Sequence, residues 1–296
     1  MNGDFMMNKK SKWFKSIRTR FIGIMAVMLI LTTGMVYLIL HTVMQDKINI
    51  LEDKYIIENV ERTKKEIFKE IEVLDTIVMD WAVWDNSYQF MIDKNPEYIK
   101  ANLSEDTLNN LKINIMLFID NKGNLVHGEG YDLQKKESVP IDEALLKYIK
   151  DHSLLQNNDV KYRKSGIVTL NGKDLILLSI CPILTSAGEG PINGYIVLGA
   201  NFTEKKIADI GEELSSEIKL TFLKDFEYDQ KIFDLKDDKI QIDAVSDQKI
   251  IGRAFLDDID GKHLLLLSIE KNRDINNIGE AGIKATLWLL LGLFFL

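Results

Sequence analysis

The sequence predicts an α+β fold held to a membrane. Three observations predict it: an uncharged apolar run of transmembrane length near the start, a charged helix-prone stretch after it, and a series of period-two segments punctuated by turn residues. With 46% hydrophobic and 28% charged residues and four prolines in 296, the chain has the apolar content to bury a core and does not read as a disordered polymer. Its one cysteine, Cys181, stands in the apolar run LLSICPIL. No intramolecular disulfide can form, and the residue is expected as a small buried hydrophobe.

The net charge of −8 is unevenly spread. Residues 1–20 hold six basic residues (Lys9, Lys10, Lys12, Lys15, Arg18 and Arg20) against Asp4, a local charge of +5 that leaves −13 for the remainder. Phe21 to Leu40, FIGIMAVMLILTTGMVYLIL, carries no charge. At roughly 1.5 Å per residue it reaches about 30 Å, the thickness of bilayer hydrocarbon. No small-x-small cleavage site follows, so the run reads as an anchor rather than a signal peptide. The basic flank then keeps residues 1–20 in the cytoplasm. The final stretch, ATLWLLLGLFFL, is equally apolar but about half the crossing length, and is expected as the start of a second transmembrane helix cut short, with a cytoplasmic output beyond it.

Between these anchors the elements follow in order. Asp46 to Met79 lacks proline and glycine, and Ile67, Ile71, Leu74, Val78 and Trp81 recur at spacings of four and three, the mark of a long amphipathic N-terminal helix. Packing against its own domain and a homodimer seam both fit that stripe. Beyond Pro96 the pattern changes to period two and turns. INIMLFI (Ile113 to Ile119) reads as a strand, DNKGN as a turn, and Val126 and His127 as a short return strand. PIDEALLKYIK reads as a helix. VKYRKSGIVTL and KDLILLSICPIL form a hairpin about Asn171-Gly172, and a glycine-rich loop from Ser186 to Gly194 leads into YIVLGA. Two strands, a helix and three antiparallel strands is the order of a PAS-like antiparallel sheet. EKKIADIGEEL then reads as a connecting helix, and IKLTFL, DKIQIDAV, KIIGRAFLDDI and GKHLLLLSIEK as strands of a smaller membrane-proximal α+β lobe, the last two joined at Asp260-Gly261. The expected organisation is a basic leader (1–20), a transmembrane helix (21–43), the long helix with the distal PAS-like lobe (44–202), the proximal lobe (203–282) and the truncated second membrane helix (283–296). Residues 44–282 are expected outside the cytoplasm of a two-pass protein of the cell membrane.

One short segment, DWAVWDNSYQF at residues 80–90, concentrates two tryptophans, two acids and an aromatic pair. Asp80, Trp81, Ala82, Trp84, Asp85, Tyr88 and Phe90, followed by Tyr98, Asn102-Leu103, Leu111, INIMLFID, Gly123, PIL and GYIVLG, resemble the fourth class of CHASE domains, the cyclase and histidine-kinase associated sensory extracellular domains, which are PAS-like or Cache-like. The resemblance extends through DIDGKHLLLLSIEKNRDI and covers most of residues 50–280. Asn86 departs from it, since the family commonly carries a second acid after the Trp-Asp pair. The resemblance implies the extracytoplasmic ligand-sensing region of a two-pass receptor that feeds a histidine kinase or a diguanylate cyclase. The segment itself reads as an aromatic joint between the signalling helix and the sheet. Trp81 and Trp84, three apart, are expected on one helix face, and Asp85 is expected to bond backbone amides where the helix ends.

For a sensor, the expected ligand is a small molecule held between the distal sheet and its covering helix, with Tyr131, Tyr162 and Arg163 as candidate contacts; the Arg163 guanidinium could grip a carboxylate bidentately. Catalytic signals are absent: His41, His127, His152 and His263 fall in unrelated contexts, and no HExxH pair, nucleophile elbow or Walker loop occurs. The acids in DLKDDK and DDIDG lack the spacing of a calcium loop. No cofactor and no metal is expected, and no nucleic acid either, since the basic leader is explained by lipid headgroups and the remainder is acidic. A constitutive partner-binding module and a membrane-tethered hydrolase are the remaining readings.

Overall fold

The computed structural model describes residues 4–155, 158–225 and 239–294. Helix α1 (Asp4–Ala82) is a single element of 79 residues that contains both the apolar run and the amphipathic stretch. Phe21, Ile24, Ile30, Leu31 and Leu38 are exposed along the apolar part, and among the described residues α1 is the one helix long and apolar enough to cross a membrane. The Thr32 and Thr42 hydroxyls donate to the carbonyls of Met28 at 2.9 Å and Leu38 at 2.8 Å. Such back-bonding satisfies a hydroxyl where lipid offers no partner. Further along, Ile67, Ile71, Leu74 and Val78 are all buried, so the stripe packs against its own chain.

After α1 come three short helices, α2 (Asp85–Asp93), α3 (Pro96–Asn102) and α4 (Glu105–Leu111). Strands β1 (Ile115–Ile119), β2 (Leu125–Asp132) and β3 (Glu137–Val139) follow, then α5 (Glu143–Asp151) and strands β4 (Lys164–Leu170), β5 (Asp174–Pro182) and β6 (Tyr195–Asn201). These strands form one antiparallel sheet in the order β3-β2-β1-β6-β5-β4. Its register is fixed by pairs such as Leu117 with Gly128 and Val197, Leu178 with Gly199, and Ile167 with Leu177. The β4–β5 loop spans three residues between the paired Leu170 and Asp174 and has positive φ at Asn171 (51°) and Gly172 (67°), a conformation that asparagine and glycine adopt readily. Then come α6 (Glu204–Glu213), β7 (Glu217–Phe222), a 3-10 turn (Leu223–Asp225), β8 (Gln241–Ala244), β9 (Lys249–Asp257), β10 (His263–Asn272) and α7 (Asp274–Phe294). The second sheet has the order β7-β10-β9-β8.

Alternation along the strands gives the first sheet two buried faces, which is why β5 and β6 read as nearly continuous apolar runs. Leu117, Val168, Leu178, Ile180 and Val197 turn one way and pack with Leu145 and Ile149 of α5. Met116, Phe118, Ser179, Cys181 and Leu198 alternate to the other face and are also buried.

The chain divides into two compact units, Ile57–Asp243 with Ile251–Lys271, and Met1–Ile56 with Ala244–Ile250 and Asn272–Leu296. Both faces of the first sheet belong to the former. In the latter, the Glu52 carboxylate is 3% exposed and accepts from Arg273 Nε at 2.8 Å and from the Asn276 amide at 3.0 Å. Gln45 donates to Asn276 Oδ1 at 2.7 Å. A carboxylate at the N-terminal turn of α7 is favoured both by the free amides there and by the helix dipole.

Several expectations change. The segment after Pro96 is helical before it is extended: α3 and α4 occupy it, started by side-chain caps from Asn95 to the Glu97 amide and from Ser104 to the Thr107 amide. The return strand is longer than a two-residue pairing and gains an edge partner, β3. The stretch read as leading back to the second anchor is itself the start of α7. Most of DLKDDK, the first residue of DKIQIDAV, and Phe295 and Leu296 of the terminal apolar run lie outside the described residues.

Candidate functional site

The aromatic segment sits where α1 stops. Ala82 and Val83 close the helix, Val83 makes an isolated parallel bridge with Leu184, and the Leu184 amide donates to the Ala82 carbonyl at 2.9 Å. Trp84 is therefore extended (φ −147°, ψ 128°) and stands at the N-cap of α2. This corrects the shared helix face expected for Trp81 and Trp84: a strand-like residue intervenes, and the two half-buried rings meet edge to face at 6.0 Å. Asp85 reaches across to the loop between β5 and β6. Its Oδ1 accepts from the Ser186 amide at 2.8 Å, and its own amide donates to Ser186 Oγ at 3.0 Å. Asp80 is exposed on the last turn of α1. Tyr88 is half-buried, and its carbonyl accepts from Asn193 Nδ2 at 3.0 Å.

Behind the tryptophans lies a closed aromatic cluster. Phe90 stacks on Tyr98 at 4.6 Å and meets Phe118 of β1 edge-on at 5.2 Å, while Trp84 tilts against Tyr98 at 6.0 Å. Edge-on and offset geometries suit the ring quadrupoles and add to area burial. Inside the cluster the fully buried Ser87 hydroxyl pairs with the Tyr98 hydroxyl at 2.8 Å. Burial pushes the Tyr98 phenol up to about 12, against the lowering effect of Ser87. Nearer the far edge of the sheet, Ser179 Oγ of β5 donates to Asp75 Oδ1 of α1 at 2.7 Å. Beside it the Cys181 thiol is raised to about 12 by burial, with Arg163 opposing and Asp75 adding, so this cysteine is an inert core group.

The three candidate ligand contacts are not gathered into one site. Tyr162 packs with the α5 side of the sheet, gives its hydroxyl to the Leu154 carbonyl at 2.7 Å, and meets Tyr195 edge-on at 6.5 Å. Arg163, its neighbour, points to the other side, where its charge bears on Cys181, and its Nη1 donates to the Tyr162 carbonyl at 2.6 Å. Tyr131 is buried on β2 beside Glu105 and Asp106 of α4. Since β2 and β4 are separated by β1, β6 and β5, four strand spacings put Tyr131 at least about 19 Å from the other two. Consecutive residues of an extended chain face opposite ways, and that separates Tyr162 from Arg163.

The residues that sequence reasoning passed over are Ser87, Ser186, Asn193 and Asn114. Asn114 is buried and bridges the Tyr131 carbonyl (2.9 Å) to the Asn201 amide (2.9 Å). None of these has a local signal, because each acts through a partner distant in sequence.

The core between the sheet and α5 is filled by Leu117, Leu145, Ile149, Leu178, Tyr195 and Ile259, with the half-buried Tyr148 and Tyr162 at its margin. Burial raises the Tyr148 phenol to about 12, with Asp258 and Asp260 adding to the effect.

The comparisons with known proteins meet this geometry directly. The family description CHASE4 domain matches residues 67–221, just over half of the chain and the span from the buried stripe of α1 to β7. The chain belongs to the CHASE4 domain family. FilI, a methanogenesis regulatory histidine kinase of Methanothrix harundinacea (strain 6Ac), is 30% identical to it over 176 residues, 60% of this chain and 19% of that protein. The CHASE4 chain thus matches about a fifth of its curated relative. Among solved structures, the extracellular domain of vpHK1S-Z8 aligns with a TM-score of 0.51 and 14% identity, covering 79% of this chain and 95% of that one. A domain of a sensory box/GGDEF family protein from Vibrio parahaemolyticus aligns with a TM-score of 0.51 and 13% identity, covering 76% and 97%. Both show the α+β fold. The CHASE4 chain is an extracytoplasmic sensor region of a membrane-bound signal-transduction receptor, with a candidate membrane helix in α1.

Proposed function

We propose that this chain senses a small molecule on the α5 side of its six-stranded sheet and reports the bound state through α1 and α7 in a two-pass receptor, working as a homodimer, whose output is a histidine kinase. The observation that carries the reading is the contrast in how the sheet is covered. The α1 side is fastened by directional bonds, Asp75 to Ser179 and Asp85 to Ser186, whereas the α5 side is filled mostly by aliphatic side chains around the buried Tyr195, with Tyr148 and Tyr162 at the margin. Aliphatic packing can reopen around a ligand with few hydrogen bonds broken, and small-molecule sites are mostly apolar with a few placed polar groups. Tyr148 and Tyr162 are the polar groups that belong to this side; Tyr131 and Arg163 serve the opposite face. A shift between two arrangements can be no larger than the ligand's preference for one of them, about 1.4 kcal/mol per tenfold.

The test is a thermal-shift screen of the full chain in lipid nanodiscs against a metabolite library. One compound should raise the melting temperature of the wild type and lose its effect in Leu145→Trp, which puts a larger ring where the ligand would displace core side chains. A compound that stabilises both proteins equally places the site elsewhere. Stabilisation only by a co-purifying protein favours a partner-binding module.

A further inference from the structure

The turn between β9 and β10 does more than join two strands of the second sheet. Asp258 closes it, its Oδ1 accepting from the amides of Asp260 and Lys262 at 2.9 Å each. The middle residue, Ile259, is only 5% exposed and packs within the core between the first sheet and α5, beside Leu145, Ile149 and Leu154. Its amide donates to the Ile167 carbonyl of β4 at 2.9 Å, and Asp258 forms a parallel bridge with Ile167. Gly166 permits the approach, since a Cβ there would lie 2.7 Å from the Ile259 Cα. At the rim, Asp260 faces Lys164 at 3.4 Å and His152 at 4.0 Å, and the His152 ring stacks on Tyr148 at 3.9 Å.

One apolar residue from the second sheet thus occupies the space that the proposed function assigns to a ligand. We propose that this turn is a displaceable plug: a ligand entering under α5 expels Ile259, and the freed turn releases β9 and β10, the latter continuing in the chain into α7. The attachment suits a reversible device. It consists of one buried side chain, a short backbone bridge and ion pairs whose side chains are 23–36% exposed, and partly exposed pairs add little to stability. The strands beneath it are held along their whole length by paired neighbours. The turn should therefore open without unfolding the sheet, as the low-stability end of a structure does. The purpose of the plug rests on the sensing role above, but its opening does not require a ligand.

Hydrogen exchange of the full chain in nanodiscs, with no ligand added, separates the two. Amides 258–262 should exchange by local opening at least about tenfold faster than those of Leu178 and Val197. Gly166→Ala, which drives a methyl group into the Ile259 backbone, should speed the turn about tenfold further and leave β5 and β6 within about twofold. If that variant does not fold, Lys164→Met, which removes the ammonium group facing Asp260, should speed the turn about twofold with the same selectivity. Exchange of the turn and of β5–β6 at one common rate, in wild type and variant alike, would overturn the plug and make Ile259 an integral core residue. A failed ligand screen would leave this result standing.

Discussion

The two faces of the six-stranded sheet are both buried but are built differently. On the α1 side, rings meet at fixed angles and buried hydroxyls pair across elements, as Ser87 does with Tyr98 and Ser179 with Asp75. On the α5 side, aliphatic residues make up most of the packing, with the Tyr195 ring buried among them. Dispersion and burial stabilise both, but hydrogen bonds and ring geometry also set orientation. The difference teaches that one face fixes the sheet to the long helix, while the other can admit a change of occupant.

Substitutions can break or sharpen that contrast. The largest effect is expected on the rigid face: Phe118→Ala should cost about 3–5 kcal/mol, read as a lowered denaturant midpoint, because the ring is fully buried and its neighbours cannot collapse. Leu145→Ala on the α5 face should cost about 2–4 kcal/mol, and Leu145→Met less than about 1.5 kcal/mol, since an aliphatic core tolerates a change of shape at similar volume. Equal sensitivity of the two faces to volume-conserving swaps would erase the distinction. Ser179→Ala should cost about 1–2 kcal/mol by leaving Asp75 without its buried donor.

Tyr98→Phe is the mildest at neutral pH, about 1 kcal/mol, yet it has a pH signature. The phenol is raised in the folded state from 10 to about 12. Its contribution is therefore complete below about pH 10 and is lost as pH climbs towards 12. Tyr148 and Cys181 are also raised to about 12, so the variant should show a shallower alkaline loss of stability, measured by melting temperature against pH. An unchanged alkaline slope would remove Tyr98 from the buried pair.

Much of this was legible in the sequence where periodicity is strong. The stripe from Ile67 to Val78 and the Asn171-Gly172 hairpin follow from local rules, and so do five of the six strands of the first sheet; the edge strand β3, three residues long, is too short to show a period. The short helices after Pro96 were signalled only by their caps, Asn95 and Ser104, because seven residues are too few to display a face. Trp84 misled because spacing of three implies a shared face only while the helix continues, and the pairing of Val83 with Leu184 that ends it is set by a distant strand. Tyr162 and Arg163 could have been parted by alternation alone. Ile259 left one faint mark, an isolated apolar residue in the acidic turn DDIDG, since its partners lie on β4 and α5.

The claim beneath all of these is that the sheet-bearing body lies across the membrane from the basic leader. Cys181 is buried and unreactive in the fold, so single cysteines at Lys9 and Lys122 can be compared in intact cells with a membrane-impermeant maleimide. Lys122 is exposed in the β1–β2 turn. The account predicts that Lys122→Cys is labelled in intact cells and Lys9→Cys only after permeabilisation; labelling of both, or of neither, before permeabilisation would contradict it.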